Sequence, residues 1–142
     1  MPKLTNLSYY VNPQTAVVPG TKSTGAITAT VVDASGGFDR VLHVIELGSF
    51  GTSAGFDAEI TESATSGGSY TLIASSGITA VTAADANKVV LIDVPVNNAK
   101  PFQKIRSTAS TAAIGVSAVA LCYSGSRLLG TTVGDAAQSV TV

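Results

Sequence analysis

Charge is what this sequence has least of. Lys, Arg, Asp and Glu together make up 12% of it, about half the share usual for a soluble domain. The formal net charge is −1. That leaves no basic footprint for nucleic acid and no polybasic stretch for anionic lipid. Cysteine is nearly missing too: Cys122 stands alone, so no internal disulfide can form. With one His, at position 43, and one Cys, zinc lacks the three or four N/S ligands it usually takes. Trp is absent. No window approaches the roughly 18 apolar residues of a membrane helix. The first residues, "MPKLTNLSYY", lack the apolar stretch of a signal peptide. These absences predict a chain made and assembled in the cytosol, with no nucleic-acid or membrane partner and no cofactor.

What is present is small and apolar. The 142 residues fit one domain, and 45% of them are hydrophobic, enough for a real core. Ser and Thr supply close to a quarter of the chain, and Gly numbers 14. A surface of Ser, Thr, Ala and Gly is weakly self-repelling, whereas a free monomer usually keeps more charge for solubility. Such a surface suits a protein packed against neighbours. It also suits a secreted or thermally robust β domain.

The hydrophobic pattern is β almost throughout. "LTNLSYY" (4–10) reads as a first strand. "AITATVVD" (26–33) alternates, with Ile27 and Val31 on one face. "RVLHVIELG" (40–48) reads as a central strand, and "FDAEITE" (56–62) places Phe56, Ala58 and Ile60 inward with Asp57, Glu59 and Thr61 outward. "YTLIAS" (70–75), "GITAVT" (77–82), "KVVLIDVPV" (88–96), "FQKIRSTA" (102–109) and "IGVSAVALCYSG" (114–125) follow, separated by turn-rich segments. Roughly eight to ten short strands, about 10 residues apart, indicate an all-β sandwich or barrel. The expected architecture is a single-domain antiparallel β-sandwich, jelly-roll-like, with extended terminal arms. Residues 1–25 are the N-terminal strand or arm, 26–125 the sandwich core, and 126–142 a C-terminal arm or edge strand.

The residues that carry chemistry elsewhere form no convincing active site here. His43 shares a strand face with Val41, Ile45 and Leu47, which reads as a hydrogen-bonded core residue rather than a base. Cys122 lies in an apolar run and reads as a buried small hydrophobe. Asp85 and Asn87 begin as an EF-hand loop does, but the Gly and Glu that complete it are missing, so they are expected to cap a tight turn. Asp57 and Glu59 share a strand face, which reads as a solvated face or a contact for a basic partner. Asp93 lies opposite the apolar face of its strand. Lys104 and Arg106 follow on one face of the next, so an ion pair of Asp93 with Arg106 or Lys104 is expected. Lys100, Phe102, Lys104 and Arg106 make the most partner-like stretch, and without a wider basic stripe they suit a protein contact.

Three stretches carry a resemblance: "GGFDRVLHVIELGSF", "AEITESATSGGSYTLIASSGITAVTAADANKVVLIDV" and "IGVSAVALCYSGSR". In order and spacing they resemble small all-β proteins encoded among the virion structural genes of tailed phages and prophages. In that family a "GFDGVLFI"-like strand, a strand ending in "QS" or "ES", an "AVTAADADNK"-like turn, a "VVIIDV"-like strand and a closing Tyr-Gly-basic segment follow one another. The resemblance spans Gly36 to Arg127, about two thirds of the chain, and rests on short strings rather than a catalytic fingerprint. It departs after Val94, where the family often has a Tyr-Arg-Pro-Arg-like segment and this chain has "PVNNAKPFQKIR". The resemblance implies a non-enzymatic protein of the virion, located on the capsid surface. It would decorate or cement the shell by binding the major capsid protein and itself. A neck or tail component is the alternative in the same class, and a host- or carbohydrate-binding β-sandwich module is the alternative outside it.

Overall fold

Strands form almost everywhere that the alternating pattern predicts them. The computed structural model describes residues 11–125 and 136–142. Within them lie β1 (Val11–Lys22), β2 (Gly25–Ile27), β3 (Val32–Asp33), β4 (Arg40–Phe50), β5 (Gly55–Ser63), β6 (Thr71–Leu72), β7 (Val81–Thr82), β8 (Val89–Pro95), β9 (Phe102–Ser110), β10 (Ile114–Tyr123) and β11 (Ala136–Thr141). Helix, among the described residues, is limited to a 3-10 turn at Ala83–Asp85.

The strands make two sheets. One runs β1-β10-β4-β8-β11; the other runs β2-β9-β5-β6, with β3 also on β9 and β7 also on β5. Pairing is antiparallel except between β8 and β11. Counting β2 with β3 as one broken strand, and β6 with β7 as another, β1 to β10 reduce to eight. Consecutive members of that set change sheets, except where the second broken strand follows β5. This is the double Greek key of a jelly roll, and β11 extends the first sheet beyond it.

The core sits between the sheets. Val41, Ile45 and Leu47 of β4, Val90, Ile92 and Val94 of β8, and Ile114, Val116 and Ala118 of β10 face Phe56, Ala58 and Ile60 of β5 and Ile105 of β9. Full burial of each large member contributes roughly 1.5–3 kcal/mol. Gly48 and Gly115 let β4 and β10 close up where their register shifts. A Cβ on Gly48 would lie 3.3 Å from the Gly115 carbonyl oxygen. The β9–β10 connection is tight: Thr111 takes φ 68° and the Ala112 N–H donates to the Ser110 carbonyl at 2.7 Å, closing a γ-turn.

Three expectations need correction. The stretch 26–33 is not one strand: residues 28–31 leave β9, and the Thr30 N–H donates instead to Ala16 O of the other sheet at 2.8 Å. The register slips by one across this break, so Val32 rather than Val31 reaches the core. The strand expected at 70–75 shortens to Thr71–Leu72. One more backbone bond follows, Ile73 N–H to Ile60 O at 2.9 Å, and the buried Ser76 hydroxyl then takes the Ile60 N–H and donates to Ile73 O. Thr61, expected outward, is buried, with its hydroxyl donating to Lys104 O.

From residue 11, the expected N-terminal strand or arm is the edge strand β1, paired along its length with β10. At the other end Ala136–Thr141 forms the opposite edge. The strand expected at 4–10 and the tail 126–135, including the last residues of the family-like stretch through Arg127, lie outside the described residues.

Candidate functional site

The partner-like residues gather on the outer face of the β2-β9-β5-β6 sheet. Alternation along β9 turns Gln103, Ile105 and Ser107 inward and leaves Phe102, Lys104 and Arg106 outward. Arg106 lies opposite Glu59 on β5 and donates to its carboxylate. Lys104 holds its ammonium 4.5 Å from the centre of the Tyr70 ring, a cation–π contact. Burial pushes the Tyr70 phenol up from its ordinary value, and its hydroxyl donates to Ser66 O. Lys100 stands 3.5 Å from Glu62 and donates to Thr71 Oγ1 at 2.9 Å. Asp57 and Glu59 do share this face, but Glu59 is committed to Arg106. The strip is thus a ladder of paired charge, and each exposed pair adds little to stability.

The expected pair of Asp93 with Arg106 does not form, nor does one with Lys104. Asp93 is on β8 in one sheet, whereas both cations are on β9 in the other. The jelly-roll crossing carries the chain to the opposite layer in those ten or so residues. Asp93 instead takes its cation from the adjacent strand. Arg40 Nε donates to Asp93 Oδ1 at 3.0 Å, and the Tyr123 hydroxyl donates to Oδ2 at 2.8 Å. Arg40 also donates to the Asp93 and Val142 carbonyls, tying the end of β11 to the sheet. Asp93 is fully buried. The sequence pattern marks neither Arg40 nor Tyr123 as a partner of Asp93.

His43 is a core residue. It is wholly buried, with Nε2 2.9 Å from Gln103 Oε1 across the sandwich. Desolvation outweighs that hydrogen bond and lowers its pKa to about 4. Cys122 is buried as well, and burial raises its thiol to about 11, far from the thiolate that nucleophilic chemistry needs. Asp85 accepts from the Thr82 N–H and from Lys88, while Asn87 takes φ 61°, so this pair shapes the turn into β8. Among the described residues, no three His, Cys, Asp or Glu side chains cluster to hold a metal. No helix among them is long and apolar enough to cross a membrane.

The other sheet has an unusual outer face. Opposite its core-facing residues, β4 presents Leu42 and Val44, β8 presents Val89 and Leu91, and β10 presents Val119 and Leu121. The register brings Leu121, Leu42 and Asp93 into one row and Val119, Val44 and Leu91 into the next. Leu42, Leu91 and Tyr123 form a second apolar cluster, with Val11, Val44, Val89 and Leu121 packed against it. Val119 is 43% exposed. A sheet facing water on one side normally alternates polar residues there; this one carries alkyl groups on both faces.

Compared with models of known protein families and with curated proteins, the sequence matches none.

Proposed function

We propose that this protein is a non-enzymatic structural protein of a tailed-phage virion. In this reading it seats on the outside of the capsid lattice as a decoration or cement protein. The observation that carries the reading is the alkyl outer face of the β1-β10-β4-β8-β11 sheet, around Val44, Val119 and Leu121. On this face Leu42 and Leu91 are buried, Val44 and Leu121 are half-buried and Val119 is exposed, and a half-exposed apolar strip on a weakly charged domain favours contact with protein. The partners are the major capsid protein and further copies of this chain, and repetition over a lattice turns weak single contacts into firm attachment. The pattern resemblance to virion β proteins supports the same reading. Jelly rolls recur in capsid and in lectin domains, which is analogy at the level of fold.

The carbohydrate-binding alternative fares less well. Sugar sites favour exposed aromatic faces. Trp is absent; of the four tyrosines that could serve, Tyr123 is buried and Tyr70 already has Lys104 over its ring, while Tyr9 and Tyr10 lie outside the described residues.

The test is co-sedimentation with capsids that lack this protein. The wild-type chain is expected to bind saturably. Val119→Asp is expected to weaken binding at least tenfold, because a carboxylate would be trapped in an apolar contact. Failure of the wild-type chain to bind, or equal binding by a folded Val119→Asp variant, would overturn the proposal.

A further inference from the structure

Among the described residues, every sheet edge but one is interrupted. Along β1, Pro13 and Pro19 lack an N–H, and the register shifts between Thr15 and Val17 and again before Gly20. β2 and β3 are parted by the break at residues 28–31, and β6 and β7 are a mere two residues each. Breaks, bulges and prolines of this kind keep further strands from adding to an edge. β11 differs. Its register shifts before Gln138, but Gln138–Thr141 then pairs residue for residue with Val90–Asp93. That stretch contains no Pro, no Gly and no charged side chain.

One side of it is used. In a parallel ladder each residue directs its N–H and C=O to the same side, and successive residues alternate. The Val142 N–H donates to the Asp93 carbonyl at 3.0 Å, so Gln138, Val140 and Val142 face β8. Ser139 and Thr141 turn their N–H and C=O groups away from β8, and among the described residues no strand pairs with them. This is the geometry that accepts an added strand.

The sequence of the edge selects its occupant. An antiparallel strand of the same sequence, centred on Val140, sets Ser139 opposite Thr141 of the second copy, and Thr141 opposite Ser139 of the second copy. Each such pair exchanges both of its N–H···O bonds. Val140, which packs on the core, meets Val140 of the second copy on the axis. No like charges face each other there. We infer that β11 pairs antiparallel with β11 of a second copy of this chain, across a two-fold axis at Val140. Such a contact is isologous, so it closes as a dimer and leaves neither β11 edge open. It uses a strand edge rather than the alkyl face, and stands whether or not the capsid reading holds.

The experiment is sedimentation equilibrium of the full chain at concentrations up to about 1 mM, a range that detects even weak pairing. The wild-type chain is expected to pass reversibly from monomer to dimer. Ser139→Pro removes an outward N–H and no bond to β8. It is expected to weaken dimerisation at least about tenfold, with the circular dichroism spectrum unchanged. Charge pairs then test the register. Ser139→Lys with Thr141→Lys sets like charges opposite each other and is expected to weaken the dimer about 5- to 30-fold. Ser139→Glu with Thr141→Lys sets opposite charges there and is expected to restore it. A wild-type chain that stays monomeric throughout, or a dimer untouched by Ser139→Pro, would overturn the inference. Equal weakening by the two charged double variants would overturn the two-fold register. A monomer whose binding to capsids is abolished by Ser139→Pro would assign the edge to a strand of another protein and overturn the second copy.

Discussion

Replacing Arg40 with Met is expected to destabilise the protein by about 3–5 kcal/mol, the usual cost of stranding one member of a buried ion pair. Asp93 has no exposed surface, and the Arg40 side chain is only 14% exposed. With Arg40 gone, the carboxylate keeps the Tyr123 hydroxyl but loses its counter-charge. The Arg40 bond to Val142 O disappears as well, so β11 loses an anchor at its last residues. The double variant Arg40→Met with Asp93→Leu is expected to recover most of the loss, since well-packed alkyl groups can replace a buried pair. Urea unfolding of the two variants beside the wild type measures this. A loss below about 1 kcal/mol for Arg40→Met would mean that the pair is solvated and structurally dispensable.

Acid is expected to weaken the sandwich through His43. Burial lowers its folded pKa from 6.5 to about 4. Above pH 6.5 the ring is neutral in both folded and unfolded chains, and its environment is fully tolerated. Below 6.5 the unfolded chain takes up a proton that the folded chain refuses. Stability therefore falls with acidification until pH reaches about 4, by about 3 kcal/mol in all. The cause is spatial: the ring lies between the sheets, Nε2 is engaged with Gln103, and among the described residues Nδ1 has no partner to receive a new proton's hydrogen bond. Because His43 is the single histidine, its contribution dominates between pH 6.5 and about 5, above the ordinary carboxylate range. Unfolding free energies measured at pH 7, 6 and 5 should fall with a slope approaching one proton. His43→Leu should flatten that slope even if its stability at pH 7 is lower. A wild-type profile already flat over this range would contradict a neutral, buried His43.

Local chemistry explains what was readable in the sequence. The inward and outward residues of β4, β8 and β9 follow from period-two alternation, and the burial of His43 and Cys122 follows from their apolar strand neighbours. The turn at Asp85–Asn87 follows from Asx chemistry. What could not be read depends on contacts distant in sequence. The break at residues 28–31 is held by a bond to Ala16 on the other sheet. The early end of the strand expected at 70–75, past Leu72, goes with Ser76 reaching Ile60. Asp93 illustrates the same limit. Proximity in sequence pointed to Arg106, but strand order decides neighbours, and strand order put Arg40 beside it from 53 residues away.

The copy number of this protein relative to the major capsid protein, measured by quantitative mass spectrometry of phage particles purified from a strain that carries its gene, tests the proposed role most directly. A ratio near one to one is the predicted result for a protein spread over the capsid lattice. A ratio of a few per cent would contradict decoration and move the protein to the neck or tail, and its absence from particles would contradict a virion role altogether.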